Sequence, residues 1–186
     1  MARILLQRVQ LLPFMELRRR KMKYIATASA PSGNVAIFDF NNIPQTYQDL
    51  VIIGSARNNA GNYGGFFIVP NGSTMSTNVD AIRFAQAGTS ALNSTSKEVV
   101  WTITNVDANW YSGFKIYIAN YASTSSNKQA YLLAANNGQE ASTVLMLSSW
   151  NWGLNNAITR IELKTDSGTD IFKQYSKCTL YGISKD

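Results

Sequence analysis

The apolar residues from Tyr24 onward occur in short runs, and clusters of Gly, Asn, Ser and Pro separate one run from the next. Short runs with turn residues between them are typical of β-sandwiches and barrels, and no stretch after residue 30 keeps a helical period. We therefore predict an all-β protein, an antiparallel, jelly-roll-like β-sandwich over residues 24–186. The predicted strands are Tyr24–Ser29, Val35–Phe40, Asp49–Arg57, Gly65–Val69, Ala81–Ala85, Glu98–Asn105, Gly113–Asn120, Gln129–Ala135, Thr143–Trp150, Ala157–Lys164 and Asp170–Ile183, the last one broken in two.

Two of these runs, Leu50–Ile53 and Val144–Leu147, are apolar without interruption. Successive side chains of a strand point to opposite faces, so an unbroken apolar run predicts a strand that is covered on both faces. A second sheet would cover one face and a neighbouring subunit the other. The sequence therefore predicts a homo-oligomer, and we expect a trimer.

Two glycine-containing segments predict local geometry. Asn136-Asn137-Gly138 stands between two apolar runs and predicts a tight hairpin turn, because Asn and Gly tolerate the positive φ that such turns require. Leu180–Ile183 predicts a terminal strand whose Gly182 lies where two backbones approach closely.

The net positive charge is confined to the first part of the chain. The formal net charge is +6, and residues 1–24 hold seven Lys and Arg against one Glu, whereas the rest holds ten of each sign. We therefore predict a separate arm over residues 1–23. Its apolar run is interrupted by polar residues and Pro13, so it matches neither a secretory signal nor a membrane span, and we expect synthesis in a cytosol.

The arm has two interpretations. An apolar stripe permits a short amphipathic helix that ends near Pro13, and a basic segment follows. A nucleic-acid tether would need the cations but not the stripe, whereas docking on a protein partner uses both, so we favour docking. The predicted docking residues are Ile4, Leu5, Val9, Leu12, Arg18, Arg19, Arg20, Lys21 and Lys23.

The chemical inventory argues against an enzyme. Histidine is absent and Cys178 is the only cysteine, which predicts a small core residue and not a nucleophile. No carboxylate pair has the spacing that glycoside hydrolysis requires. Asp166 and Asp170 could approach a cation, but a hairpin turn explains them equally well. We predict no catalytic residue, no metal and no cofactor.

Five large aromatic residues are candidates for a binding surface, because exposed rings in the loops of a β-sandwich stack on sugars or anchor proteins. The alternation in Trp150-Asn151-Trp152 places both indoles on one side of a strand. A position in the core or at a subunit interface is the competing interpretation, and we favour it. The candidates are Tyr63, Trp110, Tyr111, Trp150 and Trp152.

Three segments resemble a family of virion structural proteins with a β-sandwich domain, found in tailed phages of marine and other aquatic habitats. They are Phe40–Arg57, which contains Ile43-Pro44-Gln45-Thr46-Tyr47; Tyr117–Ser123, followed by Lys128 and the Asn136 turn; and Trp150–Ile183. The resemblance implies a component of the virion and transfers no catalytic residue. The arm lies outside it.

Together these observations predict a structural protein on the capsid or tail surface of a virion. The first hypothesis is a capsid decoration or cement protein that stabilises the shell through contacts with its own copies and with the major capsid protein. The alternative is a tail-fibre, spike or tail-adaptor module that binds a host glycan or another tail protein. We expect neither nucleic acid nor membrane as a partner.

Overall fold

The protein is built from β-strands that form two antiparallel sheets. No helix among the residues described here is long and apolar enough to cross a membrane. The predicted antiparallel β-sandwich is confirmed. The computed structural model describes residues 21–33, 35–59, 64–73, 79–85, 88–94, 100–102, 111–138, 142–165 and 171–184.

The strands are numbered in chain order. They are β1 (Met22–Ser29), β2 (Ile37–Phe40), β3 (Tyr47–Ala56), β4 (Gly64–Pro70), β5 (Val79–Ala85), β6 (Gly88–Ser94), β7 (Val100–Thr102), β8 (Ser112–Ala119), β9 (Lys128–Gly138), β10 (Ser142–Trp152), β11 (Ile161–Thr165) and β12 (Lys177–Ser184). The large sheet has eight strands in the order β1-β12-β3-β8-β9-β10-β5-β6. The small sheet has four, in the order β2-β11-β4-β7.

The core lies between the two sheets and is filled by alternate side chains of their strands. Leu50 and Ile52 of β3 are buried in it, and so are Leu132 of β9 and Leu163 of β11. Aromatic rings connect the sheets, because Phe66 of β4 meets Phe114 of β8 edge to face, with ring centroids 5.0 Å apart. Edge-to-face rings add to the stabilisation that comes from burial of apolar area.

Most of the predicted strands exist, with bounds that shift by a few residues. The N-terminal boundary lies earlier than expected, because β1 begins at Met22 and pairs with β12, so Lys23 belongs to the sheet and not to the arm. The segment 157–160 precedes β11 and is not a strand. Strand β6 was not predicted, because Gly88–Ser94 has few apolar residues and no alternation.

The predicted turn at Asn136–Gly138 is wrong in its position. The β9–β10 hairpin exists, but its ladder continues through Asn136, Asn137 and Gly138, which pair with Val144, Thr143 and Ser142. The connection therefore falls at residues 139–141, outside the described residues. Thr143 and Val144 are β-branched and favour strand pairing, which extends the ladder past the Asn-Gly sequence.

Asn71 fastens the loop that leads into β11. It has a positive φ of 51°, a conformation that Asn tolerates better than most residues. Its Oδ1 accepts hydrogen bonds from the backbone nitrogens of Thr159 at 2.9 Å and Arg160 at 3.1 Å, and its Nδ2 donates to the Ala157 carbonyl at 2.8 Å. One side chain thus holds three residues of the loop.

Gly182 of β12 lies at a close approach, as the sequence indicates, but the neighbour is a side chain and not a second backbone. A Cβ atom at this position would overlap the ring of Tyr47. The terminal strand therefore needs glycine here so that Tyr47 can cover the end of the sheet. Gly113 of β8 differs, because a Cβ atom there would meet nothing within 4 Å.

We expect Gly182→Ala to lower the free energy of unfolding by about 2 kcal/mol, the usual cost of forcing an extra methyl group into a packed site. Gly113→Ala is the matched control in the same sheet, and it should leave stability unchanged or raise it by about 0.5 kcal/mol. Urea unfolding followed by tryptophan fluorescence measures both. Equal midpoints for the two variants would contradict the packing account.

Candidate interaction face

The large sheet presents an apolar surface on the side that faces away from the core. Because side chains alternate along a strand, the residues between the buried ones of β12, β3, β8, β9 and β10 point outward. We call this surface the outer face. It consists of Val51, Ile53, Lys115, Tyr117, Tyr131, Leu133, Leu145, Leu147 and Tyr181.

The strand register assembles eight of these residues into two neighbouring rows, and Leu145 lies beside them in a third row with Ala135. In one row Ile53 pairs with Lys115, Lys115 with Leu133, and Leu133 with Leu147. In the other row Tyr181 pairs with Val51, Val51 with Tyr117, and Tyr117 with Tyr131. Directly opposite residues have Cβ atoms about 5 Å apart, so the rows form one continuous patch.

Most of the patch is open to solvent, although Val51, between Tyr181 and Tyr117, is only 2% exposed. The exposed fractions of Ile53, Tyr131, Leu133, Leu145 and Leu147 lie between 42% and 46%. Exposed single apolar residues are ordinary on protein surfaces, but a contiguous set on one face of a sheet marks an interaction site. The strands predicted to be apolar on both faces, at Leu50–Ile53 and Val144–Leu147, are present, and the outward residues of each run belong to this patch.

Charge is nearly absent from this side of the five strands. Among their described outward side chains the charged ones are Lys115, Asp49 and Lys177, and Lys177 lies at the end of β12. Asp49 is buried, and its carboxylate accepts hydrogen bonds from the Tyr117 hydroxyl at 2.6 Å and the Asn120 backbone nitrogen at 2.9 Å. Lys115 is therefore the one exposed charge within the patch among the described residues.

The tyrosine rings of the outer face are fixed in place. Tyr117 and Tyr131 stack on one another, with centroids 5.0 Å apart and an angle of 20° between the rings. The Tyr117 hydroxyl is held by Asp49, which prevents the ring from turning away. Each ring uses one of its faces on its neighbour, so the pair presents a rigid surface to solvent.

The outward side of the small sheet has the opposite character. The guanidinium of Arg160 donates to both carboxylate oxygens of Asp39 at 2.9 and 2.7 Å and to Glu162 at 2.9 Å. The Lys164 ammonium lies 3.2 Å from the other Glu162 oxygen. The hydrogen bonds from Arg160 lower the pKa of Asp39 below its ordinary value. The outward side of β2 and β11 therefore carries an ion cluster, next to the exposed Ile37.

The predicted binding aromatics are not brought together. Trp150 and Trp152 are both 98% buried, and their rings stack in the core with centroids 6.4 Å apart, so the favoured interpretation of these two residues, a place in the core, is confirmed, and the binding surface is wrong for them. Burial is the physical reason, since both indoles point from β10 toward the small sheet. Tyr111 is half-buried and donates its hydroxyl to the Gln174 carbonyl at 2.5 Å. Tyr63 and Trp110 lie outside the described residues.

Most of the predicted arm also lies outside the described residues. This applies to Ile4, Leu5, Val9, Leu12, Arg18, Arg19 and Arg20. Lys21 is described, and it belongs to the folded body, because its carbonyl accepts a hydrogen bond of 3.1 Å from the Ser184 nitrogen. Lys23 pairs with Gly182. The arm can therefore extend no further than residue 20.

Two buried groups have altered pKa values. Burial raises the pKa of the Cys178 thiol to about 12, which confirms Cys178 as a core residue and makes it a poor nucleophile. Lys128 is fully buried at the start of β9, where burial lowers its pKa. Its ammonium donates to the carbonyls of Ser126 at 2.6 Å and Leu154 at 3.3 Å, so it joins two loops.

Asp166 and Asp170 are outside the described residues, and no cluster that could hold a metal occurs among those described.

No family model, curated protein or solved structure matches the chain. The resemblance to phage virion proteins therefore remains a prediction from the sequence.

We expect Tyr117→Phe to lower the free energy of unfolding by about 1.5 kcal/mol, because the buried Asp49 carboxylate loses a hydrogen-bond donor while the ring stack is kept. Tyr131→Phe is the control, since none of the described residues receives a hydrogen bond from its hydroxyl. Thermal unfolding followed by circular dichroism compares them. Equal losses in both variants would show that the Asp49 contact does not stabilise the outer face.

Proposed function

We propose that this protein is a structural component of a phage virion, a capsid decoration or cement protein that stabilises the shell through subunit contacts. One observation carries the proposal. Among the described residues, the sandwich presents an apolar patch with one exposed charge, Lys115, on one side and an ion cluster of Arg160, Asp39 and Glu162 on the other. Such an asymmetry suits a protein that buries its apolar surface against a partner and leaves its charged surface in water. The sequence resemblance supplies the virion as its setting.

The arrangement of the tyrosines favours a protein contact over a glycan contact. A sugar ring stacks on an open aromatic face, whereas Tyr117 and Tyr131 already stack on each other. The two tryptophans that could have offered such a surface are in the core. The apolar side chains around them, Leu133 and Leu147, contribute to protein interfaces by burial of area and have no hydrogen bonds to offer a sugar.

Location on the particle separates the capsid proposal from the tail alternative. A decoration protein should be present in a fixed ratio close to that of the major capsid protein, whereas a tail module should be a small fraction of it. Quantitative mass spectrometry of purified particles of the encoding virus measures this ratio. A copy number that matches the tail proteins would replace the capsid proposal with the tail-fibre or adaptor alternative, and absence from the particle would overturn both.

Removal of residues 2–20 should leave a soluble β protein that no longer joins the particle, because the arm supplies apolar and basic contacts to the partner. Circular dichroism checks the fold, and co-sedimentation with particles that lack the protein checks the binding. Two full-length variants separate the interpretations of the arm. Docking predicts that Leu5→Gln with Leu12→Gln abolishes incorporation, whereas a nucleic-acid tether predicts that only replacement of Arg18, Arg19 and Arg20 by Gln does so. Unchanged incorporation after the deletion would contradict a role for the arm.

A further inference from the structure

We propose that the outer face packs against the outer face of a second copy of this chain, so that two sandwiches associate sheet to sheet about a twofold axis, as a dimer instead of the trimer expected from the sequence. This inference names the first partner of the surface on which the proposed function rests. It depends on the role of that surface in assembly and not on the kind of particle.

Self-complementarity is the first argument for a second copy. An apolar surface is chemically complementary to an identical surface, and a twofold contact uses the same patch on both subunits. The outer face contains no acidic residue, and the carboxylate of Asp49 beside it is already engaged by Tyr117 and Asn120. A basic or acidic partner would therefore find little to pair with.

The position of Lys115 is compatible with this packing. It lies opposite Leu133 on the neighbouring strand. Suppose that the twofold axis runs along β9. The Lys115 side chain of each copy then faces the Leu147 side of the other copy. The two lysines are displaced from one another by two strand spacings of ~4.8 Å, which is roughly 10 Å. At that separation salt screens their repulsion, and each aliphatic stem can cover leucine while the ammonium reaches water.

The size of the surface is sufficient for a specific contact. The outer face spans five strands, from β12 to β10. The rows that contain its residues span about six residues along a strand, so with ~4.8 Å between strands and ~3.4 Å per residue it covers roughly 500 Å² per copy. Two copies would then bury roughly 1,000 Å², about the least area that a specific interface needs.

The test is sedimentation velocity of the full chain over a dilution series, with three variants. In the monomer Leu133→Glu places its carboxylate beside Lys115, so the fold can tolerate it, whereas in the dimer the charge is buried. Leu147→Lys introduces the opposite sign in the same row. Ile37→Glu is the matched control, because Ile37 is 40% exposed on the small sheet and pairs with Lys164.

The expected result is a species of twice 20.6 kDa for the unchanged chain and for Ile37→Glu. Both outer-face variants should raise the dissociation constant about 100-fold, because association would have to remove a new charge of either sign from water, which is unfavourable even beside Lys115. Circular dichroism checks that each variant is folded. If one outer-face variant does not fold, the other still tests the inference.

Several results would overturn the inference. They are a monomer or a trimer for the unchanged chain, an equal loss of association in Ile37→Glu, or a response to one sign of charge alone, which would indicate a charged partner.

Dissociation caused by Leu5→Gln with Leu12→Gln, and not by the outer-face variants, would identify the arm as the interface. Binding of the unchanged chain to phosphatidylcholine vesicles, lost in Leu133→Glu, would identify a lipid surface instead. A monomer that still joins the particle would overturn only this inference, whereas a dimer absent from the particle would overturn only the proposed function.

Discussion

Packing between the two sheets is the constraint on which the rest of the structure depends. The inward residues of the large sheet, such as Ile52, Leu132 and Met146, must meet the small sheet, and a slip of one residue would turn each strand inside out. The register that buries these residues also determines which side chains face away. Leu133 and Leu147 are therefore outward because Leu132 and Met146 are inward, and the fold cannot hide both sets at once.

The two outward surfaces show that this exposure is not a general property of the sandwich. On the small sheet the outward positions of β2 and β11 carry Asp39, Glu162 and Lys164, and Arg160 joins them into one ion cluster. Polar side chains are thus compatible with outward positions on this scaffold. Leucine at the equivalent positions of β9 and β10 exposes apolar area in the monomer, and that exposure is removed only when another surface covers it.

The sequence predicts where the strands lie better than it predicts which strands pair with one another. Apolar runs and turn residues locate most strands, and the continuous run Leu50–Ile53 predicts a two-faced strand because alternation is a local property. Strand order is not local: Ile53, Lys115, Leu133 and Leu147 meet only through pairings between distant segments. The sequence therefore indicates that an outer face exists but not which residues form it. The Trp150 and Trp152 pair was ambiguous for the same reason, since alternation places both indoles on one side without saying which side is the core.

The fixed geometry of the outer face has a consequence for assembly. Association costs entropy when mobile side chains must be ordered, and a surface that is already ordered loses less. The tyrosines of this face are ordered before any partner arrives, because Tyr117 is held by Asp49 on one side and by Tyr131 on the other. Asp49 in turn is fixed by the Asn120 nitrogen at the end of β8. A buried carboxylate that makes no contact with the partner can thus strengthen binding by fixing the rings that do, provided that the partner approaches the face in the orientation that these rings impose.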